Sequence, residues 1–286
     1  MRVKQGKYSN GLSIVSTPIG NAEDITLRAL SVLKEADLIA CEDTRVTSKL
    51  LAIYQIHTPL ISYHDHNAEQ VRPRIIDALK QGQSIALVSD AGTPLISDPG
   101  YKLVRSCVEE GLHVVCVPGP CSVLAALTLS ALPTNSFYFA GFPPAKPKAR
   151  QEFFSALLGV PGTLIFFESA RRLSDSLRDM MTVLGNRHAV VARELTKKFE
   201  EIRKDRLDSL VDFYTKNGAP KGEIIVLLDA GEPQPSKDQD LDELLKLVLN
   251  QKSLRDAVDL VSATTGLSRR RVYERALFVQ AADEQT

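Results

Sequence analysis

The chain has no net charge, no long apolar run and no signal-type apolar stretch after its first residues, and each absence narrows the classes of protein to be expected. Its 286 residues carry 35 Lys and Arg against 35 Asp and Glu, so any affinity for nucleic acid must come from local patches. No apolar segment reaches the roughly 18 to 20 residues that span a bilayer, and the first residues lead into no apolar stretch. We therefore expect a cytoplasmic protein with no membrane partner.

The chain also lacks the cysteine and histidine spacings of disulfide scaffolds and metal centres. Its four cysteines show no C-x-x-C motif and lie within apolar patterns, which predicts reduced and mostly buried thiols: Cys41, Cys107, Cys116 and Cys121. His64 and His66 would share one face of a strand, but no further ligands follow at structural-zinc spacing. We expect no metal site here, and the alternative for both histidines is a polar loop facing a cleft.

Three common enzyme signatures are missing as well: a nucleophilic triad, a Walker-type loop and G-x-G-x-x-G. The nearest approach to a phosphate loop, Thr17–Asn21, lacks both the second glycine and the lysine. These absences argue against acyl transfer, P-loop hydrolysis of nucleotides and a standard Rossmann dinucleotide site.

A repeated unit of strand, loop and helix is what the chain does contain. The clearest case is the apolar run at 85–88 followed by Ser89–Gly100, in which two glycines and two prolines stop both strand and helix. Similar Gly/Pro loops follow the apolar runs at 12–15 and 114–117. The repeat predicts βαβ units and a mainly parallel sheet with three polar loops at one edge, where open α/β sheets bind ligands. The alternative is ordinary Gly/Pro turns.

Changes in composition divide the chain into three predicted parts. Residues 1–117 form an N-terminal α/β domain, residues 118–231 a C-terminal α/β domain, and residues 232–286 a linker with a small helical tail. Apolar runs predict strands in the second domain near 137–140, 163–167, 189–192 and 223–228. Helical patterns intervene near 151–158, 170–184 and 205–216.

The tail is predicted to resemble a helix-turn-helix. Gly266 marks a turn and Ser268 a helix N-cap. The helix that follows would present Arg269, Arg270, Arg271 and Arg275 to phosphates. The alternative is a solvated helix face, since acidic residues dilute this charge.

Five polar clusters lie at predicted strand ends, and together they suggest a cleft between the two domains. They are residues 42–45, 64–67, 168–172, 193–197 and 221–223.

Several of these motifs, in this order, resemble the RsmI group of ribosomal RNA methyltransferases, a branch of the tetrapyrrole methylase superfamily. The resemblance covers residues 12–228 and is carried by Thr17–Asn21, Glu42–Arg45, Ser89–Pro94 with Ser97–Gly100, Pro118–Pro120 and Arg193–Lys197. Members that methylate tetrapyrroles usually have G-D-P where this chain has Gly92, Thr93 and Pro94. This departure favours the RNA branch.

The resemblance implies two α/β domains of the tetrapyrrole methylase (class III methyltransferase) type, with a cofactor cleft between them and a small C-terminal helical appendage. It implies S-adenosyl-L-methionine as the cofactor and 2'-O-methylation of a cytidine ribose in the 16S ribosomal RNA of the small ribosomal subunit. It also implies a homodimer, and no DNA partner. Two alternatives stay open: a small-molecule, tetrapyrrole-type methyltransferase and a non-catalytic RNA-binding sensor.

Within that resemblance we expect the cofactor to be held at Pro18, Gly20, Asp90, Ala91, Gly92, Thr93, Pro94, Ser97, Ser122, Phe167 and Glu168. A general base would take the proton of the hydroxyl, with Asp43, His64 and Asp65 as candidates and Arg45 as an orienting group. The alternative is that positioning alone suffices.

Basic residues around the cleft, with three more in the helical tail, are the predicted RNA contacts. They are Lys146, Lys148, Arg150, Arg171, Arg269, Arg270 and Arg271. The first three lie in a proline-rich segment that we expect to be too stiff for a helix, and a solvated loop is the alternative there.

Overall fold

The first half of the chain folds into an all-parallel sheet. A computed structural model describes residues 10–231 and 238–283. The strands are β1 (Gly11–Val15), β2 (Leu38–Cys41), β3 (Leu60–Ser62), β4 (Ser84–Val88) and β5 (Val114–Val117), in the order β3-β2-β4-β1-β5. Every adjacent pair is parallel, so the loops that follow all five strands lie at one edge of the sheet.

Helices cover both faces of this sheet, as is usual for an all-parallel sheet. They are α1 (Leu27–Glu35), α2 (Thr44–Ile53), α3 (Ala68–Lys80) and α4 (Tyr101–Glu109). Helices α3 and α4 pack on one face around Ile75 and Leu103, while α1 and α2 pack on the other around Leu33 and Leu51.

The second half forms a mixed sheet. Its strands are β6 (Phe137–Phe139), β7 (Thr163–Ser169), β8 (His188–Arg193), β9 (Glu201–Arg206) and β10 (Glu223–Leu228), in the order β6-β7-β10-β8-β9. Only β6 and β7 pair in parallel. The prediction of a mainly parallel sheet is therefore wrong for this half. Strand β9 escapes prediction because Glu201–Arg206 is a charged edge strand with a single apolar residue.

Four helices flank the second sheet: α5 (Ser122–Ser130), α6 (Pro147–Ser155), α7 (Leu173–Leu184) and α8 (Leu207–Asn217). Helix α5 packs on one face and the other three on the opposite face. Helix α6 corrects the expectation of a stiff loop, since Pro147 occupies its first turn, where a missing N–H costs nothing.

Over residues 238–283 the tail forms three helices, α9 (Asp238–Leu249), α10 (Leu254–Thr265) and α11 (Arg269–Asp283), around an apolar core of their own. Gly266 ends α10 in the left-handed conformation, φ 70°. The Arg275 guanidinium donates to both carboxylate oxygens of Asp242 at 2.6 Å, which ties α11 to α9. Arg275 is therefore engaged inside the tail, contrary to the expectation that it faces phosphates. The predicted linker residues 232–237 lie outside the described residues.

Two of the four cysteines, Cys41 and Cys107, are buried as expected, whereas Cys116 is exposed and Cys121 half-buried. Cys116 lies on β5, an edge strand that is open to solvent on one side. Within the described ranges, no helix combines the length and the apolar character that crossing a membrane requires.

Candidate functional site

A cavity of about 490 Å³ lies between the two halves of the chain. The first half contributes Ile19 and the loop residues Asp90–Thr93 and Ile96–Asp98. The second half contributes Cys121–Val123, Phe142, Phe167–Ala170, Ala192, Leu195 and Gly222–Ile225. The volume is within the range of about 300–1,000 Å³ that is usual for small-molecule sites.

Hydrogen bonds join the three loops predicted to meet at this edge. Thr17 and Gly92 exchange backbone hydrogen bonds of 2.8 and 3.0 Å, with Gly92 at φ 78°, a conformation that glycine adopts without strain. The Thr93 hydroxyl lies 3.1 Å from the Ser16 hydroxyl and donates to the Pro120 carbonyl oxygen at 3.1 Å. Thr93 therefore links the loops after β1, β4 and β5.

Backbone strain is concentrated beside the cavity. Leu95 and Ser97 have positive φ angles of 73° and 65°, and across the cleft Glu194 and Thr196 have φ angles of 51° and 62°. Such conformations cost non-glycine residues about 1–3 kcal/mol each and are found at ligand-binding loops. Both strained loops supply cavity-lining residues, Ser97 and Leu195.

The charged side chains that line the cavity are all acidic. They are Asp90, Asp98, Glu168 and Glu223, and the described lining contains no Lys, Arg or His. Such a lining opposes a phosphate-bearing dinucleotide and suits a cation. Part of the wall from the second half is apolar and buried, with Ala192, Leu195 and Ile225 each less than one tenth exposed.

Glu168 is held by a compact set of bonds in this wall. Its carboxylate accepts from the Arg172 guanidinium at 2.7 Å, from the Ser169 N–H at 2.7 Å and from the Ser176 hydroxyl. Arg172 also donates to the Pro143 carbonyl oxygen at 3.1 Å, so this buried charge is compensated and fixes two segments of the wall.

The two halves meet tightly at the loop after β1. Ile19 packs into the core of the second half. A Cβ on Gly20 would lie 2.6 Å from Thr196 Oγ1 and 2.8 Å from the Leu195 carbonyl oxygen, so only glycine fits. The Asn21 N–H donates to Thr196 Oγ1 at 3.0 Å. We call the contact between Ile19–Asn21 and Glu194–Lys197 the junction.

Ion pairs attach the second-half side of the junction, Glu194–Lys197, to the second sheet. We call this segment the junction loop. The Lys197 ammonium donates to Glu194 Oε1 at 2.9 Å and to Glu223 Oε2 at 3.0 Å. The Glu223 N–H donates to Glu194 Oε1 at 3.0 Å, and this bond, followed by that from Lys197, lowers the pKa of Glu194. These bonds connect the junction loop directly to the cavity residue Glu223.

A second acidic group borders the cavity at the end of β2. The Asp90 carboxylate accepts from the Asp43 N–H at 3.0 Å. Asp43 caps α2, and its carboxylate accepts from the Arg45 guanidinium at 2.6 Å, a hydrogen bond that lowers the pKa of Asp43 to about 2. A carboxylate with so low a pKa is a weak base, so the structure argues against Asp43 as the proton acceptor.

The environment of Glu42 raises its pKa, whereas that of Asp43 lowers it. Burial, and then the charges of Asp90, Asp98, Asp65 and Asp43, raise the pKa of Glu42. The residue directly follows β2, beside the strand that leads to Asp90. Burial also raises the pKa of Asp98, with a further contribution from Asp90. Two carboxyls with raised pKa values therefore lie at this edge, as expected of sites that transfer protons.

The candidate bases after β3, like Glu42 and Asp43, lie outside the cavity lining. The His64 N–H donates to Asn67 Oδ1 at 2.9 Å, and the His64 Nδ1 atom is buried without a hydrogen-bond partner. Asp65 is exposed and acts on Glu42 through its charge.

Most of the predicted cofactor residues line the cavity, but three do not. Asp90, Ala91, Gly92, Thr93, Ser97, Ser122, Phe167 and Glu168 line the cavity. Pro18, Gly20 and Pro94 are not part of the lining. Gly20 instead serves the junction, and Pro94 is buried.

Most of the predicted RNA contacts are exposed, but one is buried. Lys146, Lys148 and Arg171 are exposed, but the Arg150 side chain is only 4% exposed and forms a salt bridge with Asp179 at 2.6 Å. Arg150 is therefore a structural residue that joins α6 to α7, and its prediction as an RNA contact is wrong. In the tail all three predicted arginines are exposed, with Arg269 paired to Asp259 and Arg270 to Glu274.

Comparison with known proteins gives a consistent result. Residues 11–211 match the family model for tetrapyrrole (corrin/porphyrin) methylases, and residues 235–279 match that for the RsmI C-terminal HTH domain. A protein of Mesorhizobium japonicum named ribosomal RNA small subunit methyltransferase I is 48% identical over 93% of this chain and 91% of its own length. The protein of that name in Escherichia coli O157:H7 is 45% identical over 93% of this chain and 94% of its own.

The chain belongs to the RsmI family of tetrapyrrole methylases.

Solved structures of the wider superfamily share the fold of the RsmI-family chain. Cobalt precorrin-4 methyltransferase matches with a TM-score of 0.57 and 19% identity, over 76% of this chain and 94% of its own. Uroporphyrin-III C-methyltransferase from Thermus thermophilus, solved with S-adenyl homocysteine, matches with a TM-score of 0.54 and 19% identity, over 76% and 96%. The predicted fold class is confirmed.

Several site residues of this RsmI-family chain escape sequence reasoning. Glu42 stands in a quoted motif but receives no predicted role, because its raised pKa depends on carboxylates from other loops. Ala192, Leu195 and Ile225 have the same apolar character as core residues, and no sequence signal separates them from the core. Phe142 is different, since a phenylalanine between a glycine and two prolines in a polar loop is a detectable signal.

Proposed function

We propose that this protein transfers a methyl group from S-adenosyl-L-methionine to the ribose 2'-hydroxyl of a cytidine in 16S ribosomal RNA of the small ribosomal subunit. The observation that carries the proposal is the acidic, partly apolar cavity between the two halves, in a chain whose relatives are named ribosomal RNA small subunit methyltransferase I. We place this reaction in the cytoplasm, where ribosomal subunits are found.

The lining of the cavity fits this cofactor. When bound, S-adenosyl-L-methionine supplies a methyl group on a positively charged sulfur. The carboxylates of Asp90 and Asp98 suit its positive charges, and Thr93 and Ser122 offer hydroxyl groups for its polar atoms. The buried apolar wall of the second half suits its adenine ring. The strained loops hold these groups in place before binding.

The acidic edge beside the cavity supplies the proton acceptor in this proposal. A ribose hydroxyl must lose its proton during methyl transfer, and a carboxylate with a raised pKa accepts it more readily than one with a low pKa. Glu42 meets this requirement better than Asp43, whose charge is committed to Arg45. Arg45, His64 and Asp65 shape the same edge. Positioning alone is the competing account, and a Glu42 variant distinguishes the two.

Exposed cations provide the contacts with RNA phosphates. Lys146 and Lys148 follow the cavity residue Phe142 in sequence, Arg171 follows the cavity residue Ala170, and the tail adds Arg269–Arg271. An RNA substrate accounts for these groups, whereas a tetrapyrrole substrate leaves the arginine-bearing tail without a role.

We propose in addition that the protein acts as a homodimer. Exposed apolar side chains on α5 and β6 support this: Leu124, Leu129, Phe137 and Tyr138. Sedimentation equilibrium measures the assembly state directly.

The decisive experiment is transfer of tritiated methyl groups into small subunits purified from a strain that lacks this enzyme. We expect label in 16S RNA, and resistance of the labelled linkage to alkaline hydrolysis, because a methylated 2'-oxygen is not available to attack the phosphate. Nucleoside analysis should recover the label in cytidine. No label in RNA refutes the proposal, label in a tetrapyrrole supports the small-molecule alternative, and cofactor binding without transfer supports the sensor.

Removal of the tail tests its part in RNA binding. A chain that ends at Glu232 should bind S-adenosyl homocysteine normally, since the cavity is formed by residues 19–225. It should bind small subunits more weakly and with a shallower dependence on salt, because fewer phosphate contacts release fewer counterions. Unchanged affinity and salt dependence would refute a role for Arg269–Arg271.

A further inference from the structure

Phe142 is an exposed aromatic residue that lines the cavity. Its side chain is 56% exposed, although phenylalanine is ordinarily buried. The other aromatic residue of the lining, Phe167, is half-buried, and their ring centroids lie 5.2 Å apart. Phe142 therefore lies where the cavity opens to solvent.

The backbone on both sides of Phe142 is fixed by hydrogen bonds. The Gly141 carbonyl oxygen accepts from the Phe167 N–H at 3.0 Å, which ties the segment to β7. The Pro143 carbonyl oxygen accepts from the Arg172 guanidinium, the same group that pairs with Glu168. The backbone that carries the ring is thus anchored on both sides.

The position of the ring favours a substrate group over the cofactor. The deeper wall already offers buried apolar surface at Leu195 and Ile225 for an adenine ring. Across the mouth the first half presents Ile96, which is 42% exposed and also lines the cavity. A flat group entering the cavity therefore meets exposed apolar side chains from both halves.

Cations flank this aromatic residue. Lys146 is four residues further along the same segment, and Arg171 adjoins the cavity residue Ala170; both are exposed. An aromatic face between basic groups is the usual arrangement for an unstacked base whose flanking phosphates are bound nearby.

We propose that Phe142 is the stacking platform for the nucleobase of the target nucleotide, which leaves its stack to place the ribose at the cavity. This inference rests on the proposed function, and it assigns the base to the mouth of the cavity and the cofactor to its interior. The chain would then act on an unpaired or extruded nucleotide, since a base within a helix cannot reach Phe142.

The test compares Phe142→Leu, which removes the aromatic face, with Phe142→Trp, which keeps one. Phe199→Leu is the matched control, because Phe199 is 64% exposed and does not line the cavity. For each variant, calorimetry gives the Kd of S-adenosyl homocysteine, methyl transfer gives kcat/KM for small subunits, and thermal unfolding reports folding. We expect Phe142→Leu to lower kcat/KM about tenfold, the size of one lost base stack, with unchanged Kd and Tm. Phe142→Trp and Phe199→Leu should retain wild-type kcat/KM.

Two results would overturn the assignment while leaving the proposed function intact. If Phe142→Leu retains wild-type kcat/KM, no base stacks there. If it weakens S-adenosyl homocysteine binding in proportion to the loss of kcat/KM, Phe142 belongs to the cofactor site. If the wild-type protein labels no subunit RNA, the proposed function fails and the stacking proposal fails with it.

Discussion

The two halves of the chain line one cavity with different kinds of residue, mainly polar in the first half and mainly apolar in the second. The first half supplies mainly a polar loop, Asp90–Asp98, at the edge of an all-parallel sheet. The second half supplies most of the apolar wall, including Ala192, Leu195 and Ile225, from a mixed sheet and its loops. Parallel strands bring five loop ends to one edge, whereas mixed strands distribute their loops between both edges.

This difference separates two tasks. The half with converging loops can gather carboxylates that perturb one another, as Glu42 and Asp98 show. The half with the apolar wall provides burial and, at Phe142, an exposed surface for a flat group. We infer that proton transfer depends mainly on the first half, whereas both halves bind the cofactor and the junction keeps the two in register.

The largest expected effect tests the first half. Glu42→Gln should lower kcat about a hundredfold, the lower end of general-base contributions, without changing the Kd of S-adenosyl homocysteine. Burial and neighbouring carboxylates raise the pKa of Glu42 above its ordinary 4.5. Because a base works only when ionised, the wild-type pH profile of kcat should rise with pH through an acidic limb above 4.5, and the variant should lack that limb.

Asp43→Asn is the matched control for this experiment, since asparagine still caps α2 and the pKa of Asp43 is already about 2. Its kcat should stay near that of the wild type. An equal loss of kcat in both variants would contradict the assignment of Glu42 as the proton acceptor of the first half. An acidic limb that persists in Glu42→Gln would contradict it as well.

A smaller effect should follow from forcing the halves apart at the junction. Gly20→Ala places a Cβ within 2.8 Å of Leu195 and Thr196 oxygen atoms, and overpacking of this kind costs about 1–3 kcal/mol. The Kd of S-adenosyl homocysteine should therefore rise about tenfold. Gly159→Ala is the control, because a Cβ there has no neighbour within 4 Å. Unchanged binding in Gly20→Ala would show that cavity geometry does not depend on the junction.

The smallest effect concerns one hydrogen bond in the same contact. Thr196→Val removes the acceptor of the Asn21 N–H while preserving the shape of the side chain. A single net hydrogen bond contributes about 0.5–1.5 kcal/mol, so the Kd should rise about two- to tenfold. Thr196→Ser retains the hydroxyl and should bind like the wild type. Calorimetry on the two variants measures the difference, and equal Kd values would assign the junction to packing alone.

Local sequence pattern predicts the structure correctly where a residue's role depends on its neighbours in the sequence. Buried runs such as 85–88 formed strands, and the Gly/Pro loop after them reached the cavity, because period and turn chemistry are local. Arg150 shows the limit. Its sequence context is that of a basic surface loop, but α6 turns it toward Asp179, a partner 29 residues away.

By itself the sequence determined the family, the alternation of strands and helices, and most of the polar loop that lines the cavity, since motifs and periodicity are properties of short segments. Only the tertiary structure decided the antiparallel pairing of the second sheet, the packing of Gly20 against Thr196 and the contrast between Glu42 and Asp43. Strand pairing, close contact and pKa depend on groups brought together from distant positions in the chain. No local pattern contains that information.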